Sequence, residues 1–334
     1  MTPSPILRIA PLGNPPWETP NPFLFCVHHV DHYPAGNESF GPAASLEGRD
    51  IGQDFAGKDG WRMYHGDRVP GFPQHPHRGF ETVTVVRRGL IDHSDSMGAA
   101  ARYGDGDVQW LTAGAGIQHA EMFPLLRRDA DNPVELFQLW LNLPAADKMA
   151  PPHFTMFWAD RVPRVAPADG VSVTIVAGTL GATVPPAPPP KSYASRPESD
   201  VAIWIVRLAA GASWTLPAAR AGANRFLYCF SGRGVEVADQ VIAEPSLVVV
   251  DAGKPISLKA AGEDVEILLL QGRPIGEPVA QYGPFVMNTR AELQQAFDDY
   301  QRTQFGGWPW PSPDPVHGRE GRFARAGENI ASVA

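Results

Sequence analysis

GFPQHPHRGFETVTVV (residues 71–86) carries two readings at once. Its second half, continued to FETVTVVRRG (80–89), is rich in β-branched residues and stops at Gly89, the pattern of a strand closed by a turn. Its first half sets His75 and His77 two apart. Residues i and i+2 of a strand share a face, so the two imidazoles stand ~7 Å apart along the backbone and can close on one ion. Pro76 between them fixes its own φ and donates no ladder hydrogen bond, which predicts a strand start or an edge.

A lone His-x-His reads as two surface histidines. AGAGIQHAEM (113–122) changes that, because it places His119 and Glu121 at the same spacing just after a glycine-rich turn. Three imidazoles and one carboxylate converging from two strands make a nitrogen-and-oxygen set that suits Fe(II), Mn, Ni, Cu(II) or Zn and leaves coordination positions open. Glu81, four residues after His77, is a rival carboxylate.

Outward from this core the chain keeps a rhythm of strand, glycine turn, strand. DVQWLTAGAG (107–116) and VELFQLWLNL (134–143) are further strand candidates. RFLYCFSGRG followed by PSLVVVDAG, in the later half, echoes FETVTVVRRG followed by GDVQWLTAG, a weak internal duplication that predicts two similar β-barrels. No histidine falls between His153 and His317, so the second barrel cannot repeat the site. TLGATVPPAPPPKSYASRP (179–197) reads as a Pro-rich linker or an arm laid on the surface. Thr289 followed by Glu292 has the capping-box spacing, and a helix is expected over RAELQQAFDDYQRTQF (290–305).

The expected organisation is all-β: two jelly-roll barrels in tandem with a C-terminal helix and an extended tail. Residues 1–160 form the metal-binding barrel, 161–178 a connecting strand region, 179–200 the linker, 201–284 a metal-free barrel, and 285–334 the helix and tail, whose end is expected to be poorly ordered. Within residues 1–70 only turns and short extended pieces are expected. His28, His29 and His32 in FLFCVHHVDHYPAG (23–36) are placed at a turn or edge with no ligand role, and His93 in a turn.

The formal charge is -8 with no basic run, which argues against direct nucleic-acid binding. The first residues, MTPSPILRIAPLGNPP, lack the apolar stretch of a secretory signal, and no window reaches the ~18 apolar residues of a membrane span. Cys26 and Cys229 are expected as reduced, buried thiols, and a cytoplasmic location follows as the expectation.

FPQHPHRGFETVTVV, DHSDSMG (92–98), GDVQWLTAGAGIQHAEM (106–122) and QYGPFVMNTRAELQQA (281–296) together resemble the pirin family, bicupins related to quercetin 2,3-dioxygenases. The resemblance implies His75, His77, His119 and Glu121 as ligands to one divalent metal, usually iron. It favours Glu121 over Glu81, whose position matches the carboxylate of single-domain cupins. It implies an oxidoreductase that opens flavonols such as quercetin with O₂, with Glu121 as catalytic base and a small aromatic substrate as partner. Phe72, Phe80, Trp110, Met122 and Phe137 are candidate apolar walls. The family also contains regulatory binding proteins that contact a transcription factor or metabolic enzyme, which gives the alternative reading and a protein partner. A third reading is a sugar- or organic-acid-processing cupin, since the barrel hosts many chemistries. The segment 28–69 and the Trp/Pro-rich tail look longer than the family minimum, and are expected to reshape the pocket mouth or an oligomer surface.

Overall fold

The computed structural model describes residues 4–325. Its strands divide into two compact units that are not contiguous in sequence: residues 4–26 with 160–276, and 27–159 with 277–325. The expected limits differ from this at the ends: residues 4–26 and 277–284 each group with the other barrel. The first strand, β1 (Ile6–Pro11), pairs antiparallel with Ser246–Val250 of the later half, so the chain start belongs to the second barrel. Residues 277–325, by the same criterion, belong with the first.

The unit that carries the histidine cluster takes in, from Val27 onward, β2 (Phe23–Tyr33), an eleven-residue strand where only short extended pieces were expected. It continues through β3 (Gly71–His77), β4 (Phe80–Arg88), β5 (Leu90–Asp95), β6 (Ala100–Gly104), β7 (Val108–Thr112), β8 (Ile117–Met122), β9 (Asn132–Asn142) and β10 (His153–Phe157). Two five-stranded sheets form, in the orders β10-β7-β4-β9-β2 and, with residues Phe323–Arg325 as its outermost strand, Phe323–Arg325-β6-β5-β8-β3. β2 and β3 are therefore edge strands, as Pro76 predicted for β3. Side chains on the inner faces fill the barrel: Val86, Ile91, Ala101, Leu111, Ile117, Leu136 and Phe154 are buried in one cluster.

The other unit is built the same way. Strands β11 (Arg164–Ala168), β12 (Val171–Ala177), β13 (Ala202–Leu208), β14 (Ser213–Leu216), β15 (Asn224–Ser231), β16 (Val235–Val237), β17 (Gln240–Ile242), β18 (Ser246–Val250), β19 (Ile256–Ala260) and β20 (Val265–Gly272) make a seven-stranded sheet, β1-β18-β15-β20-β13-β12-β11, and a four-stranded one, β14-β19-β16-β17. Val173, Trp204, Leu227, Val248 and Leu269 are among its buried core. The expected connecting region 161–178 is thus made of strands of this barrel. The Pro-rich segment lies within this unit too, with Ser192 and Ser199 buried and the Ser199 carbonyl accepting from the Arg273 amide, so it is an arm packed on its own barrel. Cys26 and Cys229 are both buried free thiols, and burial pushes both above the ordinary thiol range.

After β20 come β21 (Ala280–Tyr282), β22 (Phe285–Met287) and α1 (Arg290–Thr303). The Thr289 hydroxyl accepts from the Glu292 amide, and the Glu292 carboxylate accepts from the Thr289 amide, closing the expected capping box. Buried Lys148 ties this excursion to the barrel: its Nζ donates to Gly79 O (2.8 Å), Asn142 Oδ1 (2.7 Å) and Val286 O (3.0 Å). The tail then crosses the outer face of the β3/β8 sheet. Gln118 donates to the carbonyls of Gln304 and Gly307, Trp310 Nε1 donates to Asp95 O, and β23 (Phe323–Arg325) pairs with β6. Arg102, buried against Asp92 through two 2.6 Å bonds, also donates to the Gly318 and Glu320 carbonyls. The expectation of disorder at the chain end falls on residues 326–334, outside the described residues. No helix of the described residues is long and apolar enough to cross a membrane.

Candidate metal centre

The two histidine-bearing segments meet as neighbouring strands. β3 pairs antiparallel with β8, with Phe72 opposite Glu121, His75 opposite His119 and His77 opposite Ile117. The register shifts by one residue between Phe72 and His75. The shift is decisive, because a one-residue slip moves every side chain to the other face. Carried through unshifted, the Phe72 register would set His119 against Gln74 and turn it away from His75 and His77. The irregularity spans Pro73 and Gln74, and Pro73 has no amide hydrogen to lose from the ladder. Gly71, at the start of β3, sits at φ 135°, where a Cβ would collide with the Glu121 carbonyl oxygen. Only glycine lets the two strands approach there.

The result is a close cluster. One ring nitrogen from each of His75, His77 and His119 lies within 4.8 Å of the others. Ring centroids are 4.4 Å apart for His75–His119, 4.8 Å for His75–His77 and 4.9 Å for His77–His119. His75 Nδ1 is 2.8 Å from the Pro73 carbonyl, so that nitrogen carries the hydrogen and Nε2 is left to coordinate. His77 Nδ1 and both ring nitrogens of His119 are buried with no hydrogen-bond partner. Buried polar atoms are almost always satisfied, so orphans clustered this tightly mark a place where an ion would complete the bonding. Burial, followed by the neighbouring imidazoles, holds His119 well below the usual histidine range, as burial and then His75 do for His77, and burial brings His75 down to about 4. All three rings are neutral at pH 7 with lone pairs available, the form a borderline divalent cation needs.

Glu121 stands two residues along the same face of β8, outside the three-nitrogen cluster. Its Oε1 accepts from Thr84 Oγ1 (3.1 Å), with Tyr103 OH at 3.5 Å, and its Oε2 accepts from Gln138 Nε2 (3.0 Å). Burial raises its carboxyl above the ordinary range, partly offset by His93 and these hydrogen bonds. Thr84 Oγ1 also lies 2.7 Å from Gln138 Oε1. One hydroxyl proton serves only one of these acceptors at a time, so the network is complete when Glu121 itself holds a proton. Glu81 sits on β4 with the opposite parity to Thr84 and accepts from Thr112 Oγ1 at 2.7 Å. It therefore points to the other face of the sheet from the Glu121 network.

The apolar surround is partly as expected. Phe80 packs edge-on to His77 (5.0 Å) and against Trp140 (4.4 Å), which also meets His77 (5.4 Å). Phe72 joins Tyr64 and Phe123 in an aromatic group. The other expected walls are not walls. Trp110 packs on Phe157, Phe137 stacks on His28, and Met122 has the opposite parity to Glu121. His93 lies in strand β5 rather than a turn. Its ring is 5.6 Å from His119, with Nε2 against Asp95 Oδ2 (3.1 Å) and Nδ1 against Gln109 Nε2 (2.9 Å). Thr84, Gln138, Trp140 and His93 are the residues that sequence reasoning missed. The period of two along VELFQLWLNL, which puts Gln138 and Trp140 on one face, is the signal that could have found two of them.

Comparison with known proteins adds an independent finding. The model of the pirin family matches residues 48–141, and that of the pirin C-terminal cupin domain matches residues 203–306. A Pseudomonas aeruginosa protein, named a quercetin 2,3-dioxygenase as an unproven assignment, is 38% identical over 236 residues, 70% of this chain and 79% of its own. A pirin-like protein of Caulobacter vibrioides is 40% identical over 240 residues, 72% of this chain and 82% of its own. The crystal structure of quercetin 2,3-dioxygenase from Acinetobacter baumannii superposes with a TM-score of 0.69 at 29% identity, covering 86% of this chain and 87% of that one.

Proposed function

Because this chain belongs to the pirin family, we propose that its first barrel is the centre of a metal-dependent dioxygenase that opens flavonols such as quercetin with O₂. His75, His77, His119 and Glu121 hold one divalent ion, Fe(II) first among the candidates. The observation that carries this reading is the cluster of three imidazoles whose nitrogens lie within 4.8 Å of one another, with orphaned nitrogens on buried His77 and His119, set beside the Glu121 carboxyl. When bound, the ion supplies Lewis acidity toward the substrate's enolic oxygen and a site for O₂ chemistry.

The chain's own residues do the rest. Glu121 takes the enol proton: it is buried on the same face of β8 as His119, beside the three imidazoles. Thr84 and Gln138 fix the carboxyl group and lose nothing when it becomes protonated. Phe80 and Trp140 offer aromatic surface beside His77 for a flat ligand and exclude water from it. Elemental analysis of the purified protein, combined with O₂ uptake over a series of flavonols, tests the reading. The expected result is about one metal per chain and quercetin-dependent uptake abolished by a chelator. Bound metal without uptake on any flavonol, whichever divalent ion is supplied, refutes it.

A further inference from the structure

Four residues from the segment 28–69 build a second polar group inside the first barrel. His29 and Asp31 lie two apart on β2, and share a face with Tyr33 of the barrel core. Arg62 donates to Asp31 Oδ1 (3.0 Å), and Tyr64 OH donates to Asp31 Oδ2 (2.6 Å). His29 Nδ1 is 2.7 Å from the Tyr64 oxygen. Counting hydrogens fixes the state of this chain. Tyr64 has one hydroxyl hydrogen, directed at the Asp31 carboxyl that Arg62 also pairs, so its oxygen accepts from His29 Nδ1–H. His29 Nε2 is then a bare lone pair. It has no protein partner among the described residues, and His29 is half-buried rather than sealed in the core. Tyr64 is held for this purpose at φ 56°, a left-handed conformation unusual for a bulky residue, by paired backbone hydrogen bonds with Asp54.

The surroundings are aromatic and open. Tyr64 and Phe72 both contact His29, with centroids at 4.9 and 5.8 Å. Exposed His65 meets Phe72 at 5.8 Å, and Phe55, 49% exposed, meets Tyr64 at 5.6 Å and His65 at 5.1 Å. Phe72 is directly opposite Glu121 across the β3–β8 pair, so this group borders the carboxyl beside the three histidines.

We propose that His29 Nε2, fixed as a hydrogen-bond acceptor by Tyr64, Asp31 and Arg62 and rimmed by Phe72, Phe55 and His65, docks a hydroxyl group of a flat, uncharged aromatic ligand at the mouth of the histidine centre. The choice of flavonols as that ligand rests on the proposed function. The group selects a hydroxyl rather than a carboxylate, because its acceptor is neutral and its one cation is already paired. Burial, with Arg62 and His28 adding to it, brings His29 down to about 3, so it stays neutral across the working pH range.

The test is anaerobic equilibrium binding of quercetin and of unsubstituted flavone to the purified holoprotein, followed by tryptophan quenching. His29→Phe keeps the ring and removes the acceptor. It is expected to weaken quercetin about tenfold, with flavone affinity and metal content unchanged. Equal quercetin affinity in His29→Phe and wild type overturns the proposal. Should His29→Phe fail to fold by circular dichroism, Tyr64→Phe decides. Loss of its hydroxyl frees His29 to turn an N–H outward, and the preference for quercetin over flavone is expected to shrink about threefold; an unchanged preference overturns the proposal. The two readings fail separately. Lost quercetin binding in a protein with no O₂ uptake sinks the dioxygenase and keeps the docking group. Normal turnover with unchanged KM in His29→Phe does the reverse.

Discussion

Substituting His75→Leu should make the metal-free protein less sensitive to acid, by an amount that follows from burial. In the folded chain His75 titrates at about 4, against about 6.5 for a free histidine. Its folded value is depressed, so below pH 6.5 the unfolded chain takes up a proton that the folded chain refuses. The stability that neutral His75 permits is complete above about pH 6.5 and drains away as the pH falls toward 4. Between pH 7 and 5 that one ring costs about 2 kcal/mol, a large share of a domain's ~5–15 kcal/mol. Glu121 and Asp31, whose values burial raises, act in the opposite sense, but His75 does not perturb them and they cancel in the difference; His77 and His119, held well below the usual range by burial first and His75 second, stay neutral in both proteins. The assay is urea unfolding in chelator at pH 7 and pH 5. Wild type should lose about 2 kcal/mol more than His75→Leu over that interval. Equal losses would mean that the ring is not excluded from protonation, and the argument that the cluster is a set of bare lone pairs awaiting an ion would fall with it.

Three further outcomes are expected. Glu121→Gln should cut quercetin-dependent O₂ uptake by at least about a hundredfold, while Glu81→Gln, on the other face of β4, leaves metal content and uptake near wild type; the reverse pattern by elemental analysis and oxygen electrode would transfer the role to Glu81. Gly71→Ala should lower stability by about 2 kcal/mol or more and metal content with it, read by thermal melts and elemental analysis, because a Cβ at φ 135° meets the Glu121 carbonyl where β3 and β8 must close. Arg102→Met leaves buried Asp92 without its bidentate partner and should cost about 3–5 kcal/mol, and limited proteolysis should then cut within residues 304–325, whose carbonyls at Gly318 and Glu320 that guanidinium holds.

Much of this protein was legible in one dimension. Strand alternation placed His75 with His77, and His119 with Glu121, because a period of two is a local property of extended chain. The capping box at Thr289 and the turn at Gly89 were legible for the same reason: their partners lie within a few residues. The absence of histidine from 154–316 limited the second barrel by chemistry alone.

What joins the two pairs is not local. Whether His75 and His119 share a face depends on a one-residue bulge near Pro73, and a bulge is a relation between strands some 45 residues apart. The same holds for the rivalry of the two glutamates, which was open by spacing and turns on which face of β4 looks inward. The chain start joins the second barrel because β1 finds its edge some 240 residues later, at β18, where no local pattern announces it. His29 is the sharpest case. In sequence it is one of three histidines at an edge with nothing to do. Only when the chain folds Arg62 and Tyr64 onto Asp31 does a proton count force its free nitrogen to be an acceptor. The sequence by itself determined which atoms could bind an ion; the tertiary structure decided which of them face one another, because register and strand order are set by burial summed over the whole sheet rather than by any residue's neighbours.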